Sequence, residues 1–208
     1  MLYNQINDIN KIIIIGCGGY AKVIADAVLK INTKTKIIFF KERCNPTKTI
    51  WKLSCSINNK LIYYHPFIVA IGDNKKRMEI FNSIKKNNNL CIISRQSQIG
   101  KNAKIANGSF IANFCLIGPE VRIGKNTIIN NGSIIEHETS IGNHCHIAPN
   151  ATICGKCKIG DLVFIGAGST IINNIKICSN VTIGAGSTVI KNIEEQGTYV
   201  GSPVKKIK

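Results

Sequence analysis

The chain has 208 residues, with 27 Lys and Arg against 11 Asp and Glu and a formal net charge of +16. That charge raises nucleic acid or an anionic surface as partner, but the lysines are scattered, aromatics are 6% of the chain, and no helix-turn-helix, RNA-binding sheet or zinc-finger pattern occurs. The reading is compositional drift with binding of small phosphorylated ligands, and neither a signal peptide nor a membrane span is expected, because the apolar runs are short and broken by Lys, Asn and Gly.

Nine cysteines is an odd number, which argues for a reducing, cytoplasmic setting rather than a disulfide framework. Residues 1–10 are polar. Lys11 to Ile15 is a continuous apolar run led by Lys, the pattern of a buried parallel strand. It runs into Gly16-Cys17-Gly18-Gly19-Tyr20-Ala21-Lys22 and a helical stretch from Val23 to Leu29. Strand, glycine turn and helix form the dinucleotide-type arrangement, in which backbone N–H groups at the helix start face a phosphate.

A second strand is predicted over Lys36–Phe40, with Lys41 and Glu42 at the end where such folds place a ribose-binding acid. Residues 43–66 are irregular, and Trp51, Tyr63 and Tyr64 are read as packing and His65 as a loop residue. Phe67–Ile71 is a third strand, closed by Gly72-Asp73-Asn74, and Lys75–Lys86 a basic helix. Residues 1–90 are thus read as an α/β, Rossmann-like domain.

The rest of the chain, residues 91–208, keeps a different beat. From Ile93 to Val189 an aliphatic residue returns every six positions, and four places after each stands a small or β-branched residue such as Ser97, Ala103, Ser109 or Cys115. A period of six fits neither a helix nor a plain strand; it is the signature of a parallel β-helix, each hexad a short strand plus a corner. Gly and Asn crowd the corners because those need positive φ. Cys115, Cys145 and Cys157 fall on the inner small positions, where a thiol acts as a small hydrophobe. Cys154 and Cys157 form a C-x-x-C, but no second pair completes a zinc site, so no metal is expected.

Asn130 to Glu138 places His137 between Glu136 and Glu138, with His144 and His146 close behind. A carboxylate holding one ring nitrogen raises the basicity of the other, as a general base requires. A solvent-exposed histidine with ordinary neighbours fits the spacing equally. If three hexads make one coil, residues eighteen apart stack at about 4.8 Å. His137 stacks with Gly155 and Ala167 with Ala185, whereas His146 shares no column with His137, which a site between subunits would resolve.

The stretches Ile14–Ala27, Val69–Asn74, Asn130–Glu138, Gly142–Pro149 and Tyr199–Lys205 resemble the sugar acetyltransferases of the sialic-acid and bacillosamine pathways (NeuD/PglD type), over almost the whole chain. The resemblance implies a left-handed β-helix, a homotrimer with sites between subunits, acetyl-CoA as donor, and a nucleotide-linked sugar held by the N-terminal domain. Carried over by position, it makes His137 the general base, Glu138 the acid that raises its basicity, and Gly155 the N–H that supports the oxyanion. His146, Ala167 and Ala185 become acetyl-CoA contacts, and Gly18, Gly19, Tyr20, Lys41, Glu42 and Gly72 substrate contacts. Tyr20 stands where the family commonly has His, and Lys41-Glu42 where it commonly has two aspartates.

The expected reaction is N-acetylation of a UDP-4-amino-4,6-dideoxy-sugar, with O-acetylation of a sialic-acid-like sugar as the alternative. Two remoter readings are a γ-type carbonic anhydrase and an inactive nucleotide-sugar-binding scaffold. The former needs three convergent histidines, and among His137, His144 and His146 no two are eighteen apart.

Overall fold

Residues 9–40, 64–84 and 89–208 are described by a computed structural model; Lys41, Glu42, Trp51 and Tyr63 lie outside them. Lys11–Ile15 forms β1, the middle of a three-stranded parallel sheet between β2 (Lys36–Phe40) and β3 (Phe67–Val69). Its apolar run is unbroken because both faces are covered. Ile12 and Ile14 pack with Ala21, Ile24 and Val28 of α1 (Gly19–Ile31), while Ile13 and Ile15 pack with Phe67, Val69 and Phe81 of α2 (Asn74–Ser83). The third strand is shorter than predicted, and α2 begins one residue earlier because the Asp73 carboxylate caps it, accepting from the Lys76 N–H at 2.8 Å.

From Ile92 the chain winds about six turns of a parallel β-solenoid with three faces. The first face carries Ile92–Ile93, Phe110–Ile111, Ile128–Ile129, His146–Ile147, Phe164–Ile165 and Val181–Ile183, then a closing hairpin of Gly197–Gly201 and Val204–Lys206. The second runs from Gln98–Ile99 to Thr188–Val189 and the third from Lys104–Ile105 to Lys176–Ile177. Partners lie eighteen residues apart on every face, as in Ile128 with His146, Ile134 with Thr152, and Ser140 with Lys158. The last residue of each of these strands, the aliphatic one of each hexad, points into the prism. It is buried in every turn but the first, where Ile93, Ile99 and Ile105 are half-exposed at the open end.

The small inner position proves to be a hydrogen-bonding slot. Ser109, Thr127, Ser133, Thr139 and Ser169 each donate to the carbonyl fifteen residues on, at 2.7–2.9 Å. The thiols of Cys115, Cys145 and Cys157 do the same at 3.0–3.1 Å, so reading them as plain hydrophobes understates them. Burial pushes the Cys115 thiol up to about 11 and the Cys145 thiol up to about 12, which keeps both protonated as donors.

Every sixth residue from Asn102 to Gly186 has positive φ. Asn or Gly holds most of these corners, as expected, but Phe114, Glu120, Glu138, His144, Lys156 and Leu162 hold the rest. Each costs roughly 1–2 kcal/mol of backbone strain. A corner N–H reaching the preceding coil offsets it, as in Glu138 N–H to Pro119 and Lys156 N–H to His137, both at 2.9 Å.

The N-terminal domain sits on the lower part of the first face, where Phe110 and Ile128 are buried and α1 shares one core with the first coil. Arg77 of α2 joins the two parts. It is 1% exposed, and its guanidinium donates to the carbonyls of Ile71 and Gly72, to the Asn74 amide oxygen, and across the junction to the carbonyls of Asn126, His144 and Cys145, at 2.7–3.1 Å. Neutral oxygens meet the buried charge, and the planar fork suits them in a way a point charge does not. Replacing Arg77 by Met removes six hydrogen bonds, with only the Gly72 and Cys145 carbonyls, among the described residues, keeping a second donor, from His146 and Ile128. It is expected to lower stability by about 3–5 kcal/mol, read from urea unfolding, with Arg77→Lys recovering only part.

Candidate active site

The corner between the second and third faces holds His137. The chain leaves Ile134–Ile135, turns through Glu136-His137-Glu138-Thr139 and re-enters at Ser140–Ile141. Outward placement leaves the His137 side chain half-exposed, and its Nδ1 lies 3.0 Å from Glu138 Oε2. The carboxylate oxygen can only accept, so Nδ1 carries the proton and the Nε2 lone pair is free. Lys156 Nζ stands 3.7 Å from the same carboxylate oxygen.

One coil on, Gly155 sits directly against the ring. A methyl group built there would lie 2.5 Å from His137 Nε2 and 2.6 Å from Cε1, so only glycine leaves the nitrogen its space. Among the described residues the Gly155 N–H donates to none. Pro119, which has no N–H, occupies the equivalent place two coils below, one coil beneath His137. A free imidazole nitrogen and a free N–H therefore share one corner, a base beside a donor for developing negative charge.

His146 belongs to the first face. Its Nε2 is 3.3 Å from the Asn130 amide nitrogen and its Nδ1 is 3.4 Å from the Gly72 carbonyl. The amide can only donate and the carbonyl can only accept, which assigns the proton to Nδ1. Burial, then the Arg77 charge, lowers its pKa to about 4, so the ring is neutral. Phe164 meets it edge-on with centroids 5.2 Å apart. Beyond them opens a cleft of about 940 Å³, bounded by Gly72, Asp73 and Asn74 on one side and Thr198 and Lys206 of the closing hairpin on the other.

Tyr20 packs edge-on against Phe110 at 5.9 Å and tilts towards His146 at 6.4 Å. Desolvation keeps its phenol protonated. It therefore belongs to the junction between domain and solenoid. Methyl groups built on Gly18, Gly19 and Gly72 meet nothing within 4 Å, leaving the backbone open to close approach there. Gly16 differs: its φ is +125° and a methyl group would lie 2.5 Å from the Ala70 carbonyl oxygen, so its glycine serves the fold. Ala167 and Ala185 lie exposed on the corner between the first and second faces, in one column joined by the Gly186 N–H to the Ala167 carbonyl at 2.8 Å.

These residues form two groups within one chain. In a three-sided prism the corner between the second and third faces lies opposite the first face. His137 with Gly155 and His146 with the cleft therefore face away from each other. Sequence reasoning missed Arg77, Asn130 and Phe164 as parts of the site; for Asn130, position eighteen residues below Ala148 gives no clue, and only the fold aims its amide at the His146 ring.

The PglD N-terminal domain family matches residues 11–84, and the six-repeat bacterial transferase hexapeptide family matches residues 120–155 and 156–191. The acetyltransferase domain of PglB from Neisseria gonorrhoeae is 25% identical, with a TM-score of 0.87 over 95% of this chain and 100% of that one. The chain joins a PglD N-terminal domain to bacterial transferase hexapeptide repeats, an acetyltransferase similar to PglB.

Two further structures share the fold. PerB from Caulobacter crescentus, solved with CoA and GDP-perosamine, is 22% identical, with a TM-score of 0.85 over 96% of this chain and 98% of its own. WeeI from Acinetobacter baumannii is 23% identical, with a TM-score of 0.85 over 94% and 99%. A comparison with curated proteins gave no match. No described helix is long and apolar enough to cross a membrane.

His144 is buried behind this site, its Nδ1 accepting from the Asn126 amide at 2.8 Å. Burial, then Arg77 and Lys125, lowers its pKa to about 4 as well. Both histidines bind protons more readily unfolded, at about 6.5, than folded. Stability is therefore full above pH 6.5 and falls as the pH drops through 6.5 towards 4. Urea midpoints measured from pH 7 to pH 4.5 are expected to decline over that window, and the His146 ring protons to titrate near pH 4 in NMR.

Proposed function

We propose that the protein transfers the acetyl group of acetyl-CoA to the amine of a nucleotide-linked sugar, foremost a UDP-4-amino-4,6-dideoxy-sugar, in the cytoplasm. One observation carries this: His137 has Nδ1 tied to Glu138 and a free Nε2 against the Gly155 backbone. The sugar amine attacks the thioester carbonyl carbon while Nε2 takes the proton the amine loses. The tetrahedral oxygen accepts from the Gly155 N–H. Collapse breaks the carbon–sulfur bond, and the departing thiolate takes the proton from the imidazolium. Thiolate leaves readily, so no acyl-enzyme is required.

The complexes of PglB with acetyl-CoA and of PerB with CoA and GDP-perosamine support this choice of donor and acceptor class. In this chain the neutral His146, Gly155 and the exposed Ala167–Ala185 column are assigned to the acetyl-CoA, and Gly18, Gly19 and Gly72 to the nucleotide sugar. Tyr20, Lys41 and Glu42 keep their proposed place on the acceptor side, Tyr20 acting through its contact with His146.

The active enzyme is read as a homotrimer. His137 and the cleft face opposite ways in one chain, so one subunit's corner must meet its neighbour's first face. The outward positions of the second face support a contact there: Gln98, Leu116, Ile134, Thr152, Thr170 and Thr188 are all uncharged, and Phe114 beside them is 67% exposed.

Thiol release is measured with acetyl-CoA and a panel of UDP-amino sugars, GDP-perosamine and sialic acids, the acetylated atom being read from the product. An N-acetyl product is expected, and an O-acetyl sialic acid would instead support the alternative. His137→Ala should lower turnover by roughly 10²- to 10⁴-fold with an unchanged unfolding curve, and wild-type turnover in that variant would remove the base assignment.

Mixing tests the shared site. His137→Ala and His146→Ala subunits, each impaired alone, should regain activity when refolded together, because some interfaces then carry both intact histidines. A mixture no better than its parts places both histidines within one chain's own site.

A further inference from the structure

Asn74, the first residue of α2, is half-buried on the wall of the cleft and makes two side-chain hydrogen bonds of opposite sense. Its Oδ1 accepts from the Arg77 guanidinium at 2.7 Å, and its Nδ2 donates to the Val163 carbonyl at 3.2 Å. A guanidinium can only donate and a carbonyl can only accept, so these partners require one donor and one acceptor on a short side chain, which is a carboxamide. Val163 stands one coil above Cys145, the highest carbonyl that Arg77 reaches. The Val163 carbonyl also accepts the His146 backbone N–H at 3.0 Å, and Phe164, next in the chain, is the residue that meets the His146 ring. These bonds form a closed circuit. The Gly72 carbonyl meets the His146 ring and Arg77, Arg77 meets Asn74, Asn74 meets Val163, and Val163 returns to the His146 main chain.

We infer that Asn74 is a positioning residue for the reaction: its amide latches the Gly72 loop to the coil above His146 and so sets the distance between the acceptor side of the cleft and the histidine. The inference rests on the proposed function, in which Gly72 faces the nucleotide sugar and His146 the acetyl-CoA. Arg77 holds the domain to the coil of His146 and to the one below it, at Asn126. Asn74 extends that hold to the next coil, where the cleft opens towards Thr182 and Thr198. Without it the loop is free to lift about Arg77, which lengthens a Gly72–His146 contact already 3.4 Å long. Hydrogen bonds in such a circuit support one another, so the loss of one loosens the rest. The charged and titratable groups around the His146 ring are Arg77 and Tyr20 beside it and Asp73, Lys75, Lys206 and Lys208 along the cleft. The Asn74 amide adds no charge to them, so its removal acts through position alone.

Asn74→Leu keeps the shape and removes both bonds, whereas Asn74→Gln keeps the amide on a longer arm. In the ligand-free full-length protein, NMR titration of the His146 ring is expected to move up from about 4 towards about 6.5 in the Leu variant, because loosening relieves the burial and the Arg77 charge that hold it down. In turnover assays the Leu variant should raise KM for the nucleotide sugar roughly 3- to 10-fold, the worth of one neutral hydrogen bond, with kcat within about 2-fold of wild type. The Gln variant should lie between the two in both readouts. A contact that only stabilises the fold would shift the urea midpoint and leave the titration and KM where they are. That result, or a fall in kcat at wild-type KM, overturns the inference, and the Gln variant carries the same readouts should the Leu variant not fold. A shifted titration beside a wild type that turns over no sugar leaves the latch standing and overturns the proposed function instead.

Discussion

The whole second half depends on the eighteen-residue return of one corner onto the next. Each return is held by backbone bonds of fixed direction, such as the Lys156 N–H to the His137 carbonyl at 2.9 Å and the Asn174 N–H to the Gly155 carbonyl at 3.0 Å. Because those bonds are made by main chain, side chains at the corners are free to vary, and even Phe, Glu, Lys and Leu accept left-handed backbone there. That freedom is what makes the fold a carrier of chemistry. His137 and Glu138 occupy a corner whose geometry was set before their identities mattered, and Gly155 is the residue that the corner above must be if the ring is to keep its free nitrogen.

Three faces of one prism have acquired three characters. The first is covered by the N-terminal domain and then opens into the cleft; the second presents an uncharged outer column; the third presents cations. This division follows from a period of two within each strand: the inward residue is always aliphatic, so only the outward residue is free to differ, and it repeats every eighteen positions. A column on such a face behaves as one surface, since neighbours stand a single strand spacing apart. The formal charge of +16, diffuse when read along the chain, is in part a line when read along the face.

Much of this was legible in the residues and some was not, for identifiable reasons. The spans Lys11–Ile15 and Lys36–Phe40 and the six-residue beat were readable because burial on both faces and stacking on both sides leave periodic traces. The same arithmetic put His137 beside Gly155. Arg77 was hidden because it sits in the basic run Lys75–Lys76–Arg77, where a cation reads as solvated; only the docking of α2 on the solenoid buries it. The neutral states of His144 and His146 were hidden for the same reason, since both depend on Arg77 and on burial by a domain distant in sequence. The thiols at the inner positions concealed their hydrogen bonds because the chain alone does not reveal a carbonyl fifteen residues away.

Arg77 also explains how two units of different construction act as one. The Rossmann-like sheet meets the first coil through a short main-chain link, the Leu90 N–H to the Phe67 carbonyl at 2.9 Å and the Gly108 N–H to the Leu90 carbonyl at 3.1 Å, and higher on the first face the placement rests on side chains. The Gly72 carbonyl accepts from both Arg77 and His146, which ties the loop proposed to hold substrate to the histidine proposed to face the donor. A guanidinium surrounded by neutral oxygens is stable in one geometry and costly in any looser one. The junction therefore resists sliding more than an apolar contact of the same area, and the opening of the cleft, bounded by Gly72 on one side, is fixed by the same bonds that hold the domain in place.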